Sequence, residues 1–544
     1  MDTLRDLGIE EDCYRIGTTG PAVSHIRWGD SMSGEEYARA WLGGHKPDRW
    51  SDYAAASPCR TVDLPQTLLE PLLVTYASRR GFQVRFSTKF VEFREREDGR
   101  VVSTLEDLVT GAQFEVVSKF LCGADGGRST IERQLKLPMV ANPGPVAYNI
   151  LVKAEMTHLM THRPGSLHYC LRLEKDYPFI PLWRTIKPWH EWILICFPKP
   201  DRAYEEPTRE YWMEVIRDTI NDPSVKAEIL DVSRWVINET YATQYSMGNI
   251  FCLGDAVHRH PPTGGLGSNT CIQDSFNLFW KLDLVLKGLA SPQLLDSYSA
   301  ERQPVGQKVV ERANQALRNY EPIFDTLGVM LPSPQERKDA VAKISRAGEE
   351  GGRLRKQLRE GLLTVADEEM NALGMEMGQL YAGEDAAVYT LDELADYIAC
   401  GREAQDPVAF YTPRLYPGRR LPHVWLDRAR PAGRISTIDL AGKSAFCLLT
   451  GPGGQGWRDA AKTISEKLGG VVINAYTIGF RMDWEDIYGD WARYCEDDGI
   501  GEDGCVLARP DLFVAWVGKG SHTGSYEEKL FTVMRMILGF ETLT

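Results

Sequence analysis

The sequence has no C-x-x-C pair among its eleven cysteines, no apolar run near the roughly 18 residues that a membrane-spanning helix needs, and no excess of positive charge. Each absence excludes something. The cysteines are odd in number and scattered, and Cys122, Cys196, Cys252 and Cys447 lie in apolar strand-like runs. That pattern reads as buried reduced thiols rather than a disulfide framework or a redox pair. Without a long apolar run, no transmembrane helix is expected. A formal net charge of −14 argues against a broad surface for nucleic acid. The opening MDTLRDLGIEED has neither the apolar centre of a secretory signal nor the Arg/Ser-rich character of a transit peptide, so a cytoplasmic setting is expected. His258 and His260 stand two apart with no cluster of carboxylates or cysteines beside them, and no metal site is expected.

What is present is a chain of 544 residues, 43% hydrophobic and 25% charged, enough for two or three compact units with sizeable cores. Residues 1–135 read as α/β. LPQTLLEPLLVTYASRRG, from Leu64, has helical periodicity ending at Gly81, and QVRFSTKFVEFRERE then alternates as a strand does. Residues 136–240 interleave strand candidates such as NILVKAEM and EWILICFP with Pro, Trp and Tyr, and one acidic helix starts near Thr208, which predicts an inserted sheet domain. Residues 241–325 return to α/β. Residues 326–405 are charged and helical by propensity, a connecting arm, and residues 406–544 form a further unit of strands and helices.

The chemistry concentrates in NIFCLGDAVHRHPPTGGLGSNTCIQDSFNLFWK, residues 249–281. A short apolar strand ends at Gly254, leaving Asp255 at its C-terminal edge, where α/β sheets place ligands. A carboxylate there can accept hydrogen bonds from the hydroxyls of a ribityl or ribose chain. Pro261 and Pro262 stiffen the loop, and Gly264, Gly265 and Gly267 let backbone N–H groups turn inward as a cradle. A helix expected from about Asn269 presents Ile272, Phe276, Phe279, Leu282, Leu286 and Leu289 at spacings of three and four, predicting one buried apolar face. Its N-terminus, partly positive, would stabilise negative charge on a bound ring. A plain glycine-rich loop with an Asp cap would explain a shorter match; the full spacing G-D-A-x-H-x-x-P-P-x-x-G-x-G-x-N goes beyond it.

This run resembles the second FAD-binding motif of the class A flavoprotein aromatic hydroxylases, and HRHPPTGGLGSNTCIQDSFNL is similar in wording to the 2,4-dichlorophenol 6-monooxygenase and phenol hydroxylase group. The resemblance implies a cofactor site at Gly254, Asp255, Ala256, Pro262, Gly264, Gly265, Gly267, Ser268 and Asn269. In it Asp255 would bind the ribityl chain, the backbone of residues 267–269 would face the isoalloxazine, and Pro262 would lie beside the substrate. FLCGADGGRSTIERQL, from Phe120, resembles the family's Asp-Gly fingerprint, implying Asp125 and Gly126 at FAD and at a transient NAD(P)H site; Glu132 stands three places after Ser129, where the family often has Arg. LPQTLLEPLL resembles the helix whose Gln, here Gln66, contacts FAD. The C-terminal segments PGRRLPHVWL, STIDLAGKSAFCLLTG and IYGDWARYCEDDGIGEDGCVLARPDLFVAW resemble the group's thioredoxin-like domain, here without a redox cysteine pair and suited to structure or a homodimer contact.

The fold this implies is α/β and α+β: a doubly wound FAD-binding domain with an inserted β-sheet substrate domain and a C-terminal thioredoxin-like domain. The family begins with a strand, a G-x-G-x-x-G turn and an acidic residue about 20 positions on. No such opening precedes MDTLRDLGIEE, so the FAD-binding domain is expected to be incomplete, by a late start of the gene model, degeneration of a paralogue, or supply by another chain. The activity implied is FAD-dependent hydroxylation of a small phenolic substrate with NAD(P)H and O₂, impaired in this form. A catalytically inactive scaffold, or a flavin oxidase or Baeyer–Villiger-type enzyme, are the rival expectations. The inserted sheet, with Trp183, Trp189 and Trp192 among its strands, is where an aromatic pocket is sought, core packing being the favoured role for the tryptophans themselves.

Overall fold

The computed structural model describes residues 1–200, 202–390, 397–429, 431–520 and 522–540; residues 391–396 of the expected arm and 541–544 of the last unit lie outside them. An eight-stranded sheet forms the largest element. In spatial order its strands are His258–Arg259, Ala227–Ala242, Met139–Ala154, Glu191–Pro198, Phe179–Lys187, Leu167–Cys170, His25–Gly29 and Glu36–Trp41. Neighbours are antiparallel except Leu167–Cys170 with His25–Gly29. The sequence boundaries at 136 and 240 therefore cut across this sheet: two strands come from the first segment and one from the glycine-loop segment. Short strands joined by distant pairings carry no local signal of which sheet they join.

Period-two alternation divides the sheet's faces. Trp183, Trp192, Leu194 and Cys196 are buried toward the helix Arg209–Ile220, which Thr208 caps through a bond to the Tyr211 N–H. The intervening residues, Leu182, Arg184, Ile195 and Phe197, line a cavity on the other face.

A second sheet holds the parallel strands Leu121–Gly123 and Ile250–Cys252, with Phe251 opposite Cys122 and Cys252 opposite Gly123. Both chains leave this pair at their C-terminal ends, so the Asp125 and Asp255 loops lie side by side. The C-terminal unit has a four-stranded sheet in the order Ile473–Thr477, Phe446–Thr450, Cys505–Ala508, Val514–Gly518, with the first pair parallel and the others antiparallel. The helices Gln455–Lys467 and Tyr526–Ile537 pack on it around Trp457, Ile464, Leu530 and Met534, the thioredoxin-like arrangement. All eleven cysteines are free thiols. No described helix is long and apolar enough to cross a membrane.

The long helix starts at Leu266 and runs to Leu286, three residues earlier than its expected start. Its buried face also departs from expectation. Phe279 and Leu286 are half exposed, whereas Thr270, Asp274, Asn277 and Lys281 are buried at spacings of three and four. The helix is wedged between two units, with Leu278 and Leu282 in the cluster around the Ile250–Cys252 strand and Trp280 and Leu284 in the C-terminal cluster. Burial on several sides leaves room for a polar stripe provided its members are paired.

Candidate flavin and substrate site

The loop between the Ile250–Cys252 strand and the long helix turns three times through left-handed conformations. Gly254 has φ +63°, Gly264 +71° and Gly265 +63°. At Gly254 a Cβ would also come within 3.0 Å of Cys271 Sγ, so glycine is needed there for space as well as for conformation. The consecutive left-handed glycines swing the chain into a helix whose cap, Gly265, makes no side-chain capping bond. The first-turn N–H groups at Gly267 and Ser268 are thus free of a competing side-chain cap, and Ser268 and Asn269 are exposed. Gly267 lies inside the helix's first turn rather than in the loop. The cradle is therefore a helix N-terminus more than a loop nest, which strengthens its preference for negative charge.

Asp255 is exposed beside this turn, with Cys271 Sγ 3.7 Å from its Oδ1. Gly254 is held from behind. Asp274 Oδ2 accepts the Gly254 N–H at 3.0 Å and lies 2.8 Å from His258 Nε2, while its Oδ1 accepts from Arg302 Nε at 2.7 Å. Burial alone would push the Asp274 carboxyl up, but the charges of Arg302 and His258 hold it below the usual range. Burial pushes the His260 imidazole down. Sequence reading missed Asp274 because its spacing put it on the face opposite the apolar one.

A cavity of about 550 Å³ opens against the loop. Pro262, Gly264, Gly265, Ser268 and Asn269 form one side; Tyr169, Leu182, Ile195 and Phe197 form the opposing wall. Arg184 pairs with Asp63 at 2.7 Å across the cavity edge. The expected connecting arm contributes Glu369, Met370 and Met375 to the lining, and the C-terminal unit adds Asp511, Leu512 and Phe513. The tryptophans do not line it: Trp183 and Trp192 are fully buried on the sheet's other face, and Trp189 stacks on Trp192 at 5.7 Å. On this sheet the cavity is lined by the alternate residues instead.

Of the remaining candidates, Gln66 is the first residue of the helix Gln66–Arg79 and is exposed outside the cavity. Asp125 is also exposed and is occupied locally: its Oδ2 accepts the Thr130 N–H at 2.7 Å and the Ile131 N–H at 3.2 Å. Gly126, at φ +76°, starts the turn that lies against the Gly254–Ala256 turn, and Ala256 is buried. Arg259 bridges the two loops, donating to the Asp255 and Ala256 carbonyls and to Glu132. Glu132, where the resemblance leads one to look for Arg, thus pins the loops together.

Comparison with known proteins decides what this arrangement belongs to. An FAD binding domain matches residues 1–313, and an aromatic-ring hydroxylase C-terminal domain matches residues 414–540. This chain belongs to the FAD-dependent aromatic-ring hydroxylases. Among curated members of that family it is 37% identical to a 2,4-dichlorophenol 6-monooxygenase of Cupriavidus pinatubonensis, over 99% of this chain and 88% of the relative. It is 38% identical to a phenol 2-monooxygenase of a Pseudomonas species, over 98% of this chain and 84% of the relative. Among solved structures, the flavin-dependent monooxygenase PieE, in complex with FAD and substrate, superposes with a TM-score of 0.89 at 36% identity, covering 99% of this chain and 90% of that one. An aklavinone-11 hydroxylase, in a ternary complex with FAD and aklavinone, gives 0.77 at 26% identity. The hydroxylase cofactor fits the residues present: left-handed glycines, an uncapped helix N-terminus and a carboxylate at a strand end answer to a flavin ring and its ribityl chain. Membership of this family bears out the monooxygenase expectation.

Proposed function

We propose that this enzyme hydroxylates a small phenolic ring, with FAD held at the Gly254–Asn269 loop, NADH or NADPH as electron donor and O₂ as co-substrate. The observation that carries this reading is the cavity itself, which has the glycine loop on one side and the apolar wall of Leu182, Ile195 and Phe197 on the other. When bound, FAD supplies the reduction by NAD(P)H and the activation of O₂.

The chain's own residues then have distinct tasks. Asp255 accepts hydrogen bonds from ribityl hydroxyls, and Gly126, Gly254, Ala256 and the side chains of Gln66 and Asp125 complete the cofactor's surroundings. The backbone of Gly267, Ser268 and Asn269, at the positive end of the long helix, would stabilise negative charge on the bound flavin ring. Pro262 borders the substrate. The wall residues hold the aromatic ring by apolar contact and keep water out, so that activated oxygen is transferred to carbon rather than lost as hydrogen peroxide. The same reading carries a cytoplasmic setting and a homodimer through the C-terminal unit.

The test is donor oxidation by the full chain supplied with FAD, in the presence and absence of phenol. Phenol-stimulated oxidation with a dihydroxylated product supports the reading; oxidation that phenol leaves unchanged, with phenol recovered intact, counts against it.

A further inference from the structure

Where the connecting arm meets the glycine loop there is a carboxyl group that none of these tasks employs. Glu369 follows the helix Glu349–Glu368, is 4% exposed and lines the cavity. Its Oε1 accepts two hydrogen bonds, from the Tyr320 hydroxyl at 3.0 Å and from the Gly264 N–H at 3.2 Å. Its Oε2 has no hydrogen-bond partner among the described residues. A buried polar atom left in that condition is costly and calls for a partner from outside the chain.

Burial raises the Glu369 pKa to about 8, against smaller lowering contributions from Tyr320, the Gly264 N–H and Arg312. The group is therefore a neutral acid near pH 7. Because Oε1 is already a double acceptor, the acid proton belongs on Oε2, which makes that buried atom a donor without a partner among the described residues. Tyr169, beside Tyr320 with ring centroids 5.6 Å apart, also lines the cavity.

We propose that Glu369 receives the phenolic oxygen of the substrate, Oε2 making the hydrogen bond while Oε1 ties it through Gly264 to the flavin loop. This rests on the phenol-hydroxylation reading above and adds to it the residue that orients the ring. One carboxyl bonded to both ligand and loop fixes the ring's hydroxyl relative to the cofactor cradle, which apolar walls cannot do because they lack direction.

Equilibrium binding of phenol and toluene, matched in size and differing in the oxygen, tests this with the full chain supplied with FAD. The wild type should prefer phenol by about tenfold, the value of one buried hydrogen bond. Glu369→Gln should keep that preference, since its amide carbonyl can hold Tyr320 and Gly264 and its NH₂ can donate in place of Oε2. Glu369→Leu should bind toluene as the wild type does and lose the preference. A Glu369→Leu protein that still prefers phenol overturns the proposal, as does a wild type that binds both rings equally. A wild type that binds neither ring contradicts the phenolic reading and this proposal together. A second readout needs no leucine variant. Phenol affinity of the wild type should change as pH crosses about 8, with Tyr169, Tyr320 and Arg312 as the ionisable neighbours, and that of Glu369→Gln should not; equal pH dependence in both overturns the proposal.

Discussion

Asp255 and Asp274 lie 19 residues apart in one continuous loop and helix, yet their settings differ. Asp255 is exposed at a strand end, so Asp255→Asn should leave the fold intact and weaken flavin binding by about tenfold, the loss of charge on an acceptor. A fluorescence titration of FAD reads this directly. Asp274 is fully buried with Arg302, and Asp274→Asn should lower unfolding stability by about 3–5 kcal/mol, since it leaves the Arg302 charge buried and uncompensated. Denaturant melts check it. Because the folded Asp274 pKa is depressed, its contribution is present above the ordinary carboxylate pKa and is lost as pH falls through the folded value. Glu369 has the opposite sign. Its folded pKa is raised from 4.5 to about 8, so the folded state keeps a proton that the unfolded chain releases, and stability falls as pH rises across that interval. Glu369→Gln should remove this fall, visible in melts at a series of pH values. The position of Asp255 at a strand end was legible in the sequence because it is set by neighbours in the chain. Glu369 was not, since a glutamate ending a charged helix looks solvated until tertiary packing buries it.

The long helix Leu266–Leu286 shows what periodicity can and cannot carry. Its existence and its glycine-bounded start follow from sequence, but the buried face was misread because apolar spacing assumes a single partner. Here Lys281 and Glu301 pair at 2.7 Å, Arg509 of the C-terminal unit joins Glu301 at 2.5 Å and Asp511 at 2.5 Å, and Asn277 donates to Glu301 at 2.6 Å. Every charged member is fully or nearly fully buried. Burial lowers the Lys281 pKa, whereas the charges of Arg509 and Lys281 overcome burial to hold Glu301 well below the usual range. Arg509→Met should therefore cost about 3–5 kcal/mol by exposing Glu301 and Asp511 to an incomplete partner set. The double variant Arg509→Met/Glu301→Leu should cost less than the sum of the single ones, as double-mutant melts would show. The partners lie in separate parts of the chain, and no local pattern announces such a cluster.

Across the whole molecule, the chemistry was easier to read than the architecture. The loop motif, the sheet that supplies a cavity wall and the thioredoxin-like unit were each recognisable as segments. Their boundaries were not, because the eight-stranded sheet gathers His25–Gly29 and Glu36–Trp41 from one end and His258–Arg259 from beyond the other. Nor could the sequence show that the arm bearing Glu369 lines the cavity, since its apolar residues Leu358, Val365 and Ala366 find their partners only in the folded sheet and helices. The central claim is that the cavity between glycine loop and sheet directs oxygen onto a phenolic carbon. Isotopically labelled O₂ supplied to the full chain with FAD, NAD(P)H and phenol tests it most directly. The account predicts one labelled oxygen atom in the product ring, with donor consumed in proportion; label confined to hydrogen peroxide or water, with phenol unchanged, would contradict it.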